Sequence, residues 1–105
     1  MAGGSQKVTV LGAMIAGHDY WWYYRDVFSR DYCRVWYESG RRLGYDMRLA
    51  TDTRKAAPWD WVVSFPRQPV WHPFFIRWLW YEQMLKKVTS KYVAITDVSD
   101  VCFSV

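Results

Sequence analysis

Apolar and polar positions along this chain follow two different periods. Lys7–Ala13 (KVTVLGA) is a β-rich apolar run, the pattern of a strand buried on both faces. A loop is expected over Met14–Trp22. From about Tyr23 to Leu43 the apolar positions Val27, Tyr32, Val35, Trp36 and Leu43 recur at three- to four-residue spacing among charged residues, which predicts a helix. Ser29 marks a break at which its main part begins, and Gly44 stops it. Tyr45–Ala50 alternates as a second strand.

Residues 51–71 are rich in turn formers (Asp52, Pro58, Pro66, Pro69) and read as a loop, with a short turn over Trp59–Val63. His72-Pro73 opens a second helix, Pro73 being tolerated in a first turn. Its expected apolar stripe is Phe75, Ile76, Leu79, Trp80, Met84 and Leu85. Lys86-Lys87 near its end complement the helix dipole. Lys91–Ile95 (KYVAI) is a third strand, expected to be buried like the first. It leads into Thr96–Asp100 and a further apolar run, Val101–Phe103. Helices between strands call for parallel pairing and crossover connections. The predicted fold is a three-layer, Rossmann-like α/β half-domain with a parallel β-α-β-α-β core, one domain over residues 1–105.

Composition narrows the function classes. Aromatic residues make up 20% of the 105 residues, with 8 Trp, 8 Tyr and 5 Phe, so the chain can bury enough apolar surface to escape disorder. These rings fill a core, line a ligand cleft or cover an interface. The net charge of +4 suits an anionic ligand such as a nucleotide diphosphate. Its scattered cations lack the dense basic footprint of a dedicated nucleic-acid binder, so no nucleic-acid partner is expected. Cys33 and Cys102 have no metal-ligand spacing. A disulfide between them stays open, and a buried thiol is the default for Cys102. No membrane segment is expected, because no run approaches the ~18 apolar residues of a span. The N-terminus lacks the layout of a signal peptide. Both a cytoplasmic location and a lumenal one, with an anchor outside these residues, stay open.

The candidate chemistry lies in Tyr92–Phe103 (YVAITDVSDVCF), where an apolar strand runs into two carboxylates three residues apart. Ligands of parallel sheets sit at the carboxyl ends of strands, and carboxylates there can share a hard divalent cation with substrate phosphates. The bland alternative is a β-turn in which Asp97 and Asp100 cap backbone groups.

The segment resembles the DxD region of GT-A glycosyltransferases, particularly the variants written T-D-x-R-D-V-x-F. Gly44-Tyr45-Asp46 resembles that family's step into its second strand. His72–Trp78 resembles the helix leading to its acidic motif, and Val8–Val10 is placed as its opening strand is. The resemblance spans most of residues 7–105, in order. It implies a nucleotide-sugar donor, an unspecified acceptor and a divalent metal, Mn²⁺ or Mg²⁺. By this resemblance Asp97 and Asp100 are the metal ligands, with Asp97 also in the donor site. Arg77 reaches the donor, and the loop from Ala13 through Gly17, His18 and Asp19 meets the nucleotide. The spacing DxxD and Ser99 in place of Arg depart from the family pattern. The family's catalytic domain is longer than this chain, so the resemblance implies a donor-binding half. Its acceptor-binding and catalytic-base residues would lie elsewhere. The competing class is a non-catalytic, aromatic-rich module that docks a protein partner.

Overall fold

The computed structural model of the chain describes residues 8–15, 30–52, 59–66, 73–98 and 102–103. Four strands and two helices follow in the order β1 (Val8–Met14), α1 (Arg30–Arg42), β2 (Asp46–Thr51), β3 (Val62–Ser64), α2 (Pro73–Leu85) and β4 (Tyr92–Ile95). The strands form one sheet in the order β3-β2-β1-β4, and every pairing in it is parallel. The fold class is therefore α/β with a parallel sheet, as the alternation of periods predicts.

The chain steps outward from β1 through β2 to β3, then returns across the sheet through α2 to lay β4 on the other side of β1. With crossovers of one hand, such a reversal moves the connecting helix to the opposite face. The two apolar clusters reflect this. Val10, Met14, Met47 and Leu49 pack with Cys33 and Trp36 of α1 on one face. Leu11, Ile15 and Ala50 pack with Ile76, Trp80, Tyr81 and Met84 of α2 on the other. Covering on both faces explains why β1 reads as a continuous apolar run and is almost wholly buried.

Local rules account for the ends. Helix α1 closes in a Schellman motif: Gly44 adopts φ 83°, its N–H donates to the Arg41 carbonyl, and Tyr45 N–H donates to the Gly40 carbonyl, both at 3.0 Å. A residue with a Cβ pays strain at that φ, so glycine belongs there. At the amino edge of the sheet the buried Thr9 hydroxyl lies 2.6 Å from Ser90 Oγ. It also donates to Asp46 at 3.3 Å, and Asp46 pairs with Arg48 at 2.7 Å.

Several expectations are corrected. The stretch 51–71 is not all loop: a turn at Asp60-Trp61 leads into β3, which pairs with β2 and whose three residues are too few to show an alternation. The third apolar run is not buried. In β4, Tyr92, Val93 and Ile95 are exposed, because β4 has a described strand on one side only. Within α2 the buried stripe is Ile76, Trp80, Tyr81 and Met84, while Phe75 and Leu85 face solvent. The stripe follows the four-residue spacing 76-80-84, which turns Phe75 and Leu85 away from the sheet. Lys86 and Lys87 lie near the end of α2 as expected, in the turn that directly follows Leu85. Cys33 is buried, but Cys102 is exposed, and both are free thiols.

Candidate functional site

All strands being parallel, their carboxyl ends share one edge. There β1 ends in Met14-Ile15, β2 in Thr51-Asp52 and β4 in Ile95-Thr96-Asp97. The Thr51 hydroxyl donates to the Met14 carbonyl at 2.9 Å and ties the ends of β1 and β2 together. The direction of sheet growth reverses between β1 and β4, so the outer ends of these two strands flank a topological switch point, where α/β sheets bind ligands.

The segment after β4 is set by close packing against β1. Thr96 N–H donates to the Leu11 carbonyl at 3.0 Å, and its hydroxyl accepts from the indole N–H of Trp36 at 2.8 Å. Val98 then packs directly over Gly12, where a Cβ would collide with it and lie 3.0 Å from Cζ2 of Trp36. Gly12 is the residue that lets α1 and the post-β4 segment meet the sheet together. Further on, Phe103 N–H donates to Ser39 Oγ at 2.9 Å, and the Phe103 ring meets Tyr45 edge-on.

Alternation along the strands sends Thr96 and Val98 to the α1 face and Asp97 to the α2 face. There Asp97 Oδ1 accepts from Arg77 Nη1 of α2 at 3.2 Å. Ala13 lies on the same face of β1, packed against the α2-face cluster. Three residues expected at the site, Ala13, Arg77 and Asp97, thus come to one end of one face. The ion pair is half open to water, with the Asp97 side chain 69% exposed, so it stabilises the fold by about 0–1 kcal/mol. Its value is orientation: it holds a guanidinium beside the switch point. Gly17, His18, Asp19 and Asp100 lie outside the described residues.

Two residues were not anticipated. Tyr81, one turn after Arg77, is buried beneath the pair, and its hydroxyl is pushed up to about 12. Burial is the main cause; Arg77 pulls the value down and Asp97 pushes it up. Asp52 follows β2 and is only 2% exposed. The sequence signal for it was an acidic residue directly after the second strand. For Tyr81 it was the spacing of one helical turn from Arg77.

The chemistry of the donor set tests the metal expectation. Among the described residues, no group of three or more His, Cys, Asp or Glu side chains converges to hold an ion. At the carboxyl edge of the sheet the described carboxylates are Asp52, almost wholly buried, and Asp97, already engaged by Arg77, so a divalent cation there would draw most of its oxygen ligands from elsewhere. Described aromatic rings largely pack on one another, Tyr37 on Trp61 at 4.0 Å and Phe65 on Trp80 at 5.2 Å. Among the described residues, no helix is long and apolar enough to cross a membrane. Comparison of the chain with family models, with curated proteins and with solved structures finds no match.

Proposed function

We propose that this chain is a GT-A-like donor-binding region, which holds a nucleotide-diphosphate sugar for transfer by a glycosyltransferase. One observation carries the reading: a parallel, doubly wound sheet whose switch point is flanked by the Arg77–Asp97 pair. Arg77 supplies a cation and planar donors suited to a diphosphate or to sugar hydroxyls. Asp97 fixes the direction in which Arg77 points and accepts from donor hydroxyls through its open oxygen. A Mn²⁺ or Mg²⁺ ion belongs to the reading as implied by the resemblance: Asp97 and Asp100 would hold it, and it would offset the charge of the donor diphosphate.

The test is calorimetric titration of the chain with UDP- and GDP-sugars, with and without Mn²⁺. Binding that needs the metal, and that weakens at least about tenfold in Arg77→Ala and Asp97→Asn, is the expected result, each variant removing a charge-assisted contact. No saturable binding of either donor at millimolar concentration overturns the reading.

A second reading, a non-catalytic module that docks a protein partner, is favoured by the apolar residues left exposed on α2 and β4, among them Phe75, Trp78, Tyr92 and Ile95.

A further inference from the structure

The outer edge of β4 has a defined hydrogen-bonding phase. Thr96 N–H points at Leu11 of β1. Successive residues of a strand aim their backbone groups to opposite sides, so Ala94 and Thr96 face β1 while Val93 and Ile95 present N–H and C=O outward. The side chains are as well defined. Ala94 packs with the α1-face cluster, which leaves Val93 and Ile95 on the α2 face, 38% and 40% exposed. Between Lys91 and Asp97 the edge carries no charge and no proline. Neither of these two common guards of an edge strand interrupts this short stretch.

We propose that this edge pairs antiparallel with the β4 edge of a second copy, about a two-fold axis at Ala94, to make one continuous sheet. The register follows from two constraints. Antiparallel hydrogen-bonded pairs must join outward-facing residues of both copies. Centring on Ala94 satisfies this by setting Val93 opposite Ile95 of the second copy, a β-branched pair on each side of the axis. The same register sets Lys91 opposite Asp97 of the second copy, and Asp97 opposite its Lys91. Moving the axis to Val93 puts Lys91 opposite Ile95, and moving it to Ile95 puts Asp97 opposite Val93; both lose the charge complementarity. Asp97 has room for this partner, since Arg77 engages Oδ1 and the side chain is mostly exposed.

A two-fold axis normal to the sheet keeps both α2 helices on the same face. At 100° per residue, the flank of α2 that carries Arg77 toward β4 also carries Trp78 and Leu85, 53% and 43% exposed. The pairing would bring these residues of both copies to the same face as the four exposed valine and isoleucine side chains around the axis. They widen the contact beyond a bare strand pair toward the area that a stable dimer needs.

Sedimentation velocity on the whole chain tests the register. The wild type is expected to be a dimer at micromolar concentration. Lys91→Glu and Asp97→Lys each place like charges at both ends, and each should weaken self-association by roughly tenfold or more. An equimolar mixture of the two variants restores opposite charges at both ends and should recover the wild-type dimer. Val93→Lys puts a charge at the exposed centre of the edge and should give a monomer that still unfolds cooperatively, its melt no longer dependent on concentration. A monomeric wild type overturns the proposal. So do single variants that associate like the wild type, a mixture no tighter than either variant alone, or open-ended aggregation insensitive to the exchange. Failure of this inference and failure of the donor-site reading are distinguishable: Lys91→Glu and Val93→Lys keep Arg77 and Asp97, so a variant that loses the dimer and still binds donor separates the two.

Discussion

Replacing Gly12 by Ala adds one methyl group at the tightest point of the fold. The new Cβ would fall inside contact distance of Val98 and 3.0 Å from Cζ2 of Trp36, against about 3.5–4.0 Å for a relaxed carbon pair. Trp36 cannot give way, being fully buried and fixed by its 2.8 Å bond to Thr96. Val98 must therefore move, and Asp97 precedes it in the chain. Overpacking of this kind costs about 1–3 kcal/mol, offset by about 0.4–1 kcal/mol because alanine restricts the unfolded chain. A net loss of about 1–2 kcal/mol lowers the melting temperature of a chain this size by roughly 4–16 °C. The assay is a double-mutant cycle with Val98→Ala, followed by thermal and urea unfolding. Removing the Val98 methyls makes room for the new one, so the double variant should be more stable than the sum of the singles by about 1 kcal/mol. Additivity within about 0.5 kcal/mol, or an unchanged melt in Gly12→Ala, would refute the claim that this contact sets the post-β4 segment.

Three further outcomes are expected. Trp36→Phe should cost about 1–3 kcal/mol in urea unfolding, through a lost hydrogen bond and lost volume at a fully buried site; an equally stable variant would show that the indole N–H does no anchoring. Gly44→Ala meets no atom within 4 Å, so its expected loss of about 1–2 kcal/mol comes from backbone conformation alone, and an unchanged melt would remove the Schellman closure from the account. Tyr81 loses its proton near pH 12 when folded and near 10 when unfolded, so the folded state holds the extra proton between these values and stability should fall as pH rises from 10 to 12. Ultraviolet titration should show a late-ionising tyrosine, its step shifting lower in Asp97→Asn and higher in Arg77→Met; the absence of any late step contradicts the burial of Tyr81.

The parts of this fold that were legible in the sequence are those fixed by local rules or by covering on both faces. Within Lys7–Ala13, Val8–Ala13 reads correctly because β1 sits between α1 and α2, so apolar side chains serve both of its faces, Thr9 apart. Gly44 reads correctly because helix closure needs a positive φ there. Tyr92–Ile95 shows the same apolar run and is exposed. Hydrophobicity reports what a strand could bury, while its place in the sheet order depends on which strands lie beside it. Strand β3 has three residues in a proline-rich stretch, too few for a period of two to emerge. Arg77 and Asp97 were each legible as candidates, but not as a pair, since twenty residues separate them and only the packing of α2 on β1 and β2 brings them together. Tyr81 and Asp52 were missed because each residue type has a commoner role, as a ring in a stripe and as a turn former.

Asp97 links the two proposals, and the link has a measurable sign. Its carboxylate has one oxygen bound by Arg77, which leaves the other as the main acceptor for any further cation. The donor-site reading gives that oxygen to a divalent ion and the sugar nucleotide. The dimer gives it to Lys91 of the second copy. Both cannot hold it fully at once, so the two equilibria are coupled, and the coupling is reciprocal. Saturating Mn²⁺ and donor should loosen the dimer by some factor, and dilution to monomer should tighten donor binding at each of the two sites by its square root. Each end of the interface forfeits one exposed ion pair, about 0.2–1 kcal/mol apiece, so the expected factor is roughly 2–30. Lys91→Ala removes the competitor without touching Arg77 or Asp97, and in that variant the coupling should vanish while donor binding remains. A wild-type dimer constant that is the same with and without Mn²⁺ and saturating donor would mean that Asp97 serves at most one of the two partners. The variant Lys91→Ala then decides which: unchanged self-association removes Asp97 from the interface and leaves it to the donor.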